Sequence, residues 1–222
     1  MKKTVIIFIT LALIAGSCGQ ATKKQGNNEI AVAEQEQDFV LLQNETENKP
    51  LETNTEKILV KDMDNDGIMD SVYVENGRIT CCLSTQNFEK MQSVEIDLTN
   101  LSGITDAKNG FYFENNWMRT GYKIQFRYDN KVKRMQLIGI EHYALGSSEL
   151  SGEASVNLLT NDYVGNWGYF DKDDYIEIPT IKTKMSFGKI YLEDFSEEKT
   201  YSDFVKKSVE LYHIHKKEMQ EK

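Results

Sequence analysis

Cysteine is scarce: the chain has three, Cys18, Cys81 and Cys82, which excludes a disulfide scaffold. The adjacent Cys81 and Cys82 point to opposite faces of a strand, so a bond between them would need a strained ring. The expected arrangement is Cys81 packed inward and Cys82 outward or half-buried, neither doing chemistry. Positive charge is short too, with 26 Lys+Arg against 35 Asp+Glu. That balance argues against nucleic acid or an anionic lipid surface as the partner. The N-terminal apolar run falls short of the roughly 20 residues of a membrane span. Catalytic patterns are missing as well. Gly146-Ser147-Ser148 lacks a nucleophile-elbow pattern. His213 and His215, two apart on a predicted helix, face nearly opposite ways and make a poor metal pair. His142 ends a predicted strand, where packing or hydrogen bonding is its expected role. The expectation is therefore a protein that is not an enzyme. Eleven Tyr, ten Phe and two Trp are nonetheless plentiful for so acidic a chain, so it should fold.

The first residues carry an address. MKKTVIIFITLALIAGSCGQ has a basic start at Lys2 and Lys3, an apolar core from Val5 to Ile14, and small residues before Cys18. That order is a secretory signal. Its end resembles the lipobox of bacterial lipoproteins, in which cleavage precedes the Cys and the thiol carries a diacylglycerol. The position three before Cys18 is Ala15 where the pattern prefers Leu, so ordinary cleavage after Ser17 remains the alternative. Residues 1–17 would then be the signal, and Cys18 the lipid anchor to a membrane. Gly19 after the Cys, where an Asp would retain the protein, implies the outer membrane on that resemblance. Without residues 1–17, 24 basic residues face 35 acidic ones, a net charge of −11. Residues 18–37, polar and rich in Gln, Asn and Glu, read as a tether.

Beyond the tether the pattern is β. DFVLLQ at 38–43 is a first candidate strand, followed by a loop over 44–56. ILV (58–60), SVYVE (71–75) and RITCCLS (78–84) follow, with Asn76-Gly77 as a hairpin turn that needs positive φ at both residues. SVEIDL (93–98) and YKIQFRY (122–128) alternate cleanly, and Asp129-Asn130 turns the chain into RMQLIGIEHY (134–143). Further strands are expected at 153–159, 175–181 and 186–193. Such alternation with short turns predicts a mainly β domain over 38–198, an antiparallel sandwich or a barrel with one solvated face. Residues 199–222 carry Tyr201, Phe204, Val205, Val209 and Tyr212 at helical spacing, with Ser202 or Thr200 as N-cap. They predict one C-terminal amphipathic helix.

The strongest chemical pattern is KDMDNDGIMDSVYV at 61–74. With Asp62 as position 1, Asp64 is 3, Asp66 is 5, Gly67 is 6, Ile68 is 7 and Asp70 is 9. Calcium takes six to eight oxygens at about 2.3–2.6 Å, and alternate residues of a tight loop can aim carboxylates at one centre. Ile68 would offer its backbone carbonyl and leave its side chain free to cap the core, and Asp70 is the expected bidentate ligand. Tyr73 stands at position 12, where an EF-hand has Glu, and strands flank the loop in place of helices. Magnesium is disfavoured by its stricter octahedron; the plainer alternative is an acidic turn with no ion. In FDKDDYIE (170–177), Asp171, Asp173, Asp174 and Glu177 could hold a second ion, but no Gly makes the bend, which favours a solvated loop. Trp117 and Trp167 sit among Gly and Asn, as core anchors or as sugar-stacking platforms.

The stretch DMDNDGIMDSVYVENGRITCCLSTQNFEKM resembles a single FG-GAP or VCBS-type repeat, the calcium-loop unit of integrin-type propellers. Only one such loop occurs, so a full propeller is not expected. WMRTGYKIQFRYDNKVKRMQLIGIEHY, SVNLLTN and the IPTI segment are similar to small Gram-negative envelope proteins with one such loop. Some of these are periplasmic lysozyme inhibitors, and that likeness implies a binding role. The function expected from the sequence is a non-catalytic, calcium-binding envelope lipoprotein with a protein or glycan ligand, with hydrolase inhibition as the sharpest version. The alternative is a calcium-stabilised glycan hydrolase, since paired carboxylates give no distances in sequence.

Overall fold

The computed structural model describes residues 58–108, 110–146 and 149–221. The expected signal, Cys18, the tether and the strand at 38–43 lie outside the described residues. Two antiparallel sheets make up the domain. The first is a four-stranded meander of β1 (Leu59–Lys61), β2 (Asp70–Glu75), β3 (Arg78–Cys82) and β4 (Lys90–Gln92). β2 and β3 join through Asn76 (φ 49) and Gly77 (φ 71), the doubly left-handed turn expected there. The second sheet holds eight strands. In chain order they are β5 (Gly103–Ala107), β6 (Gly110–Asn116), β7 (Thr120–Asp129), β8 (Arg134–Ala144), β9 (Ser151–Asn157), β10 (Asp162–Asp171), β11 (Asp174–Glu177) and β12 (Ile181–Lys184). Each of β5 to β10 pairs with the next, and β11 and β12 share the remaining side of β10. Pro179 lies between them. It has no N–H for the ladder, and one extra residue opposite β10 bulges the edge at this point.

Side chains of both sheets meet in one hydrophobic core, so the arrangement is sandwich-like, and no barrel closes among the described residues. The alternation in β7 has the expected sense: Tyr122, Ile124, Phe126 and Tyr128 are buried while Lys123, Gln125 and Arg127 are not. Phe111 and Phe126 stack at 5.3 Å, and Phe195 meets Phe126 edge-on at 5.9 Å. Buried aromatic pairs of this kind add about 0.5–1.5 kcal/mol each beyond their area. Cys81 is fully buried and, against expectation, Cys82 is buried too at 7 % exposure. Burial pushes the Cys81 thiol well above the ordinary range, which keeps it unreactive.

The helix α1 (Ser202–Gln220) seats Phe204, Ser208 and Tyr212 along one seam. Phe204 reaches Tyr163 and Phe187, while the Tyr212 hydroxyl donates to the Glu149 carbonyl. Neither Ser202 nor Thr200 is the N-cap. A π-turn over Glu197–Tyr201 extends the helical run upstream, and the last extended residue is Ser196, with no side-chain cap. Tertiary bonds hold that extra turn: the Glu197 carboxylate accepts from the Tyr122 hydroxyl (2.6 Å), Asn115 Nδ2 (3.0 Å) and the Asp97 N–H (3.0 Å).

Two expected strands are absent. Residues 93–98 form no strand, with a bend at Val94, and their N–H groups go to Ile79 O (from Ser93), Phe195 O (from Val94), Gly77 O (from Ile96) and Glu197 (from Asp97). Residues 186–190 are irregular, Tyr191 makes one bridge, and Leu192–Asp194 form a 3₁₀ turn.

Candidate metal centre

The acidic stretch is the connection from β1 to β2, closed at its base by the pair Lys61 and Asp70. Asn65 (φ 65) and Gly67 (φ 88) are left-handed, and this winds the loop tightly enough for its own backbone N–H groups to face its carboxylates. Asp62 accepts from the N–H groups of Asn65 (2.7 Å), Asp66 (3.2 Å) and Gly67 (3.0 Å). Asp70, 1 % exposed, accepts from the Met63 N–H at 2.7 Å and the Ser84 N–H at 2.8 Å. Asp64, 6 % exposed, accepts from the Asp66 N–H at 3.3 Å and from the Thr85 hydroxyl. Ser84 and Thr85 sit in a short 3₁₀ turn directly after β3. The Ser71–Cys82 pairing brings that turn beside the acidic loop, a relation that no local motif announces.

One carboxylate oxygen from each of Asp62, Asp64 and Asp70 lies within 4.8 Å of the others. Asp66 is exposed and stands apart from this group: one of its oxygens accepts from the Ile68 N–H (2.8 Å), the other from the Ser84 hydroxyl (2.8 Å). The Ile68 side chain does not cap the core. It is 54 % exposed, and Met63, at 4 %, fills that role.

The donor set fits a hard cation. It is oxygen only, with no thiolate or imidazole, and each oxygen that accepts one N–H or O–H keeps a second lone pair. Burying two carboxylates without a compensating charge is costly, and an ion among the three would supply that charge.

No family model, curated protein or solved structure matches this chain. The likenesses to FG-GAP or VCBS-type repeats and to lysozyme inhibitors therefore rest on the quoted residues alone.

The other expected sites resolve individually. Asp171, Asp173, Asp174 and Glu177 are exposed around the tight turn joining β10 to β11, where Asp171 pairs with Asp174. Trp167 is a core anchor, 1 % exposed and bonded through Nε1 to the Tyr163 hydroxyl (3.1 Å). His142 is buried, its Nδ1 lying 3.2 Å from Gly121 O and 2.9 Å from the Tyr201 hydroxyl. Burial lowers its pKa, and burial raises the Tyr201 hydroxyl to about 12, so both stay neutral near pH 7. Trp117, half-buried, borders a cavity of about 620 Å³ on the outward face of β6–β10. Sequence reasoning missed this cavity, because it is assembled from one or two outward residues on each of several strands.

Proposed function

We propose that the chain is a non-catalytic, calcium-binding lipoprotein of the cell envelope, held at the outer membrane through Cys18, that binds a protein or glycan partner. The observation that carries the calcium part is the convergence of Asp62, Asp64 and Asp70 within 4.8 Å, two of them buried. An all-oxygen set on a tightly wound loop supports calcium over softer metals. The ion's role is structural: it would tie the β1–β2 loop to the turn after β3 and do no chemistry. The lipid anchor draws its support from the signal-like start and Cys18. Hydrolase inhibition is the sharpest version of the binding role and rests on the resemblance.

Glycan hydrolysis stands as the second reading, and a specific observation favours it. The cavity is lined by Glu114, Glu141 and Glu153, carboxylates of the type that glycoside hydrolysis uses in pairs. Turnover of envelope glycans that disappears in Glu141→Gln or Glu153→Gln would establish it; no turnover with any glycan tried would exclude it.

The test of the calcium reading is a calcium titration of the full chain followed by calorimetry and thermal unfolding. A ligand at a hundred times its dissociation constant adds about 2.7 kcal/mol. Loss of the calcium response in Asp64→Asn, with retention in Asp66→Ala, assigns the site to the three converging carboxylates. Loss in both extends it to Asp66. If the wild-type chain is folded and unresponsive, the loop is an acidic turn and the calcium reading falls.

A further inference from the structure

The cavity on the outward face of the eight-stranded sheet is built in register. Glu114, Lys123, Glu141, Ser155 and Val164 stand side by side across β6 to β10, each paired with the next. The neighbouring row runs from Tyr143 through Glu153 to Asn166. At about 620 Å³ the space is of the size that holds a small ligand or a projecting side chain.

Its charge is one-sided. The lining holds three glutamates and one lysine. Lys123 is already committed, with Nζ 3.0 Å from Glu114 and 4.3 Å from the Tyr112 ring centroid. Glu141 stands opposite Lys123 and its charge acts on that ammonium without closing to an ion pair, so three carboxylates share one cation and the lining keeps a net negative charge. Glu141 and Glu153 lie diagonally on adjacent strands, a relation that sets Cα atoms roughly 7–8 Å apart, so the site concentrates like charge.

The aromatic wall is fixed in place. The Tyr143 hydroxyl donates to Asn116 Oδ1 at 3.2 Å, and its ring lies over Gly121, where a β-carbon would sit 2.8 Å from the ring edge. Leu101 on the cavity wall is 59 % exposed, and next in sequence to the lining residue Trp117 stands Met118, 94 % exposed, with Leu145, 54 % exposed, on the β8–β9 connection. The Leu145 N–H donates to Arg119 O (2.8 Å), which ties the β6–β7 and β8–β9 connections together.

We propose that this cavity receives a lysine or arginine side chain of a protein partner, held between Glu141 and Glu153, with flanking apolar residues on Leu101, Met118 and Leu145. This rests on the reading of the chain as a partner-binding protein and names the chemistry that binds. Charge complementarity decides the occupant. A second cation offsets the charge that Lys123 leaves on Glu141 and Glu153 and gains the aromatic groups of Tyr143 and Trp117, whereas a neutral sugar leaves the negative charge uncompensated.

The test titrates the full chain, in calcium, with an acetylated hexapeptide of alternating leucine and lysine, read by calorimetry and tryptophan fluorescence. The controls are the same peptide with its lysines acetylated, and cellotetraose. The expected result is binding of the lysine peptide that weakens about tenfold or more in the Glu141→Gln/Glu153→Gln double variant, with the acetylated peptide left unbound. Raising the salt should weaken binding in the wild type and have less effect in the variant. Unchanged thermal unfolding shows that the variant is folded, both sites being exposed. Equal binding of the acetylated peptide, or equal affinity in the folded double variant, overturns the inference. Cellotetraose bound in place of the peptide overturns the inference and leaves partner binding standing. Neither probe bound overturns the inference and withdraws the cavity as the partner site.

Discussion

Asp70→Asn is the perturbation that separates what the acidic loop does for the fold from what it does for an ion. Asp70 accepts from Met63 at 2.7 Å and from Ser84 at 2.8 Å, and it is 1 % exposed. An amide offers one oxygen and one NH₂, so whichever way it turns, one of the two N–H groups meets another donor. Hydrogen bonds to a charged acceptor contribute about 1.5–3 kcal/mol each, and the bond that survives becomes a weaker neutral one. Relief of the repulsion with Asp62 and Asp64 offsets part of this, so a net loss of about 1–3 kcal/mol is expected without calcium, which for a chain of this length lowers the melting temperature by roughly 2–12 °C. Adding calcium at a hundred times its dissociation constant should raise the wild type by a further 5–10 °C or so, and the variant by far less. The assay is thermal unfolding by circular dichroism in chelator and then in calcium. A variant that melts with the wild type in chelator refutes the hydrogen-bond reasoning. One that melts lower but keeps the full calcium shift removes Asp70 from the ligands.

Two other outcomes test separate parts of the fold. Tyr122→Phe removes the hydroxyl that donates to Glu197 at 2.6 Å and should cost about 1–3 kcal/mol, measured as a lower urea midpoint with unchanged slope. His142 is held below its ordinary pKa by burial, so the folded state favours the neutral ring more than the unfolded chain does. Its contribution to stability is present above the unfolded pKa of about 6.5 and is lost as pH falls below that value toward the folded pKa. Urea melts from pH 7.5 to 5 should show a downward slope that flattens in His142→Gln; an equal slope in both proteins would remove His142 as its source.

Much of the fold was legible wherever one residue type fixes local geometry. Asn76-Gly77 announced its hairpin because few other pairs adopt positive φ twice in succession. β7 was legible from its alternation, since one face is buried along its whole length. β10 was not. Gly165 and Gly168 interrupt its pattern, and the reason is tertiary: a β-carbon at Gly165 would lie 2.6 Å from the Tyr163 hydroxyl, and one at Gly168 2.5 Å from the Tyr175 ring. SVEIDL misled because its alternating apolar residues do not share a buried face: Val94 is 43 % exposed while Ile96 is buried, and its N–H groups find partners in Ile79, Phe195, Gly77 and Glu197. In the acidic loop, spacing pointed to Asp62, Asp64, Asp66, the Ile68 carbonyl and Asp70 around one centre, and of the four carboxylates Asp62, Asp64 and Asp70 converge while Asp66 does not join them. It could not show that Ser84 and Thr85, from beyond the next hairpin, would complete the surroundings.

The interruption at Pro179 bears on the company the domain keeps. An open sheet ends in rows of unpaired backbone groups that invite a strand from another molecule. At the β5 end, Lys61 reaches over to Asp106 and to the Ala107 carbonyl, so β1 stands guard there. At the opposite end, what would have been one rail from Asp174 to Lys184 is cut into two short lengths, set with Asp174, Glu177, Lys182 and Lys184. A passing chain finds too few consecutive rungs to climb on. If the proposed anchor at Cys18 holds the protein by one end on a surface, that cut is what would let neighbours crowd together and remain separate molecules.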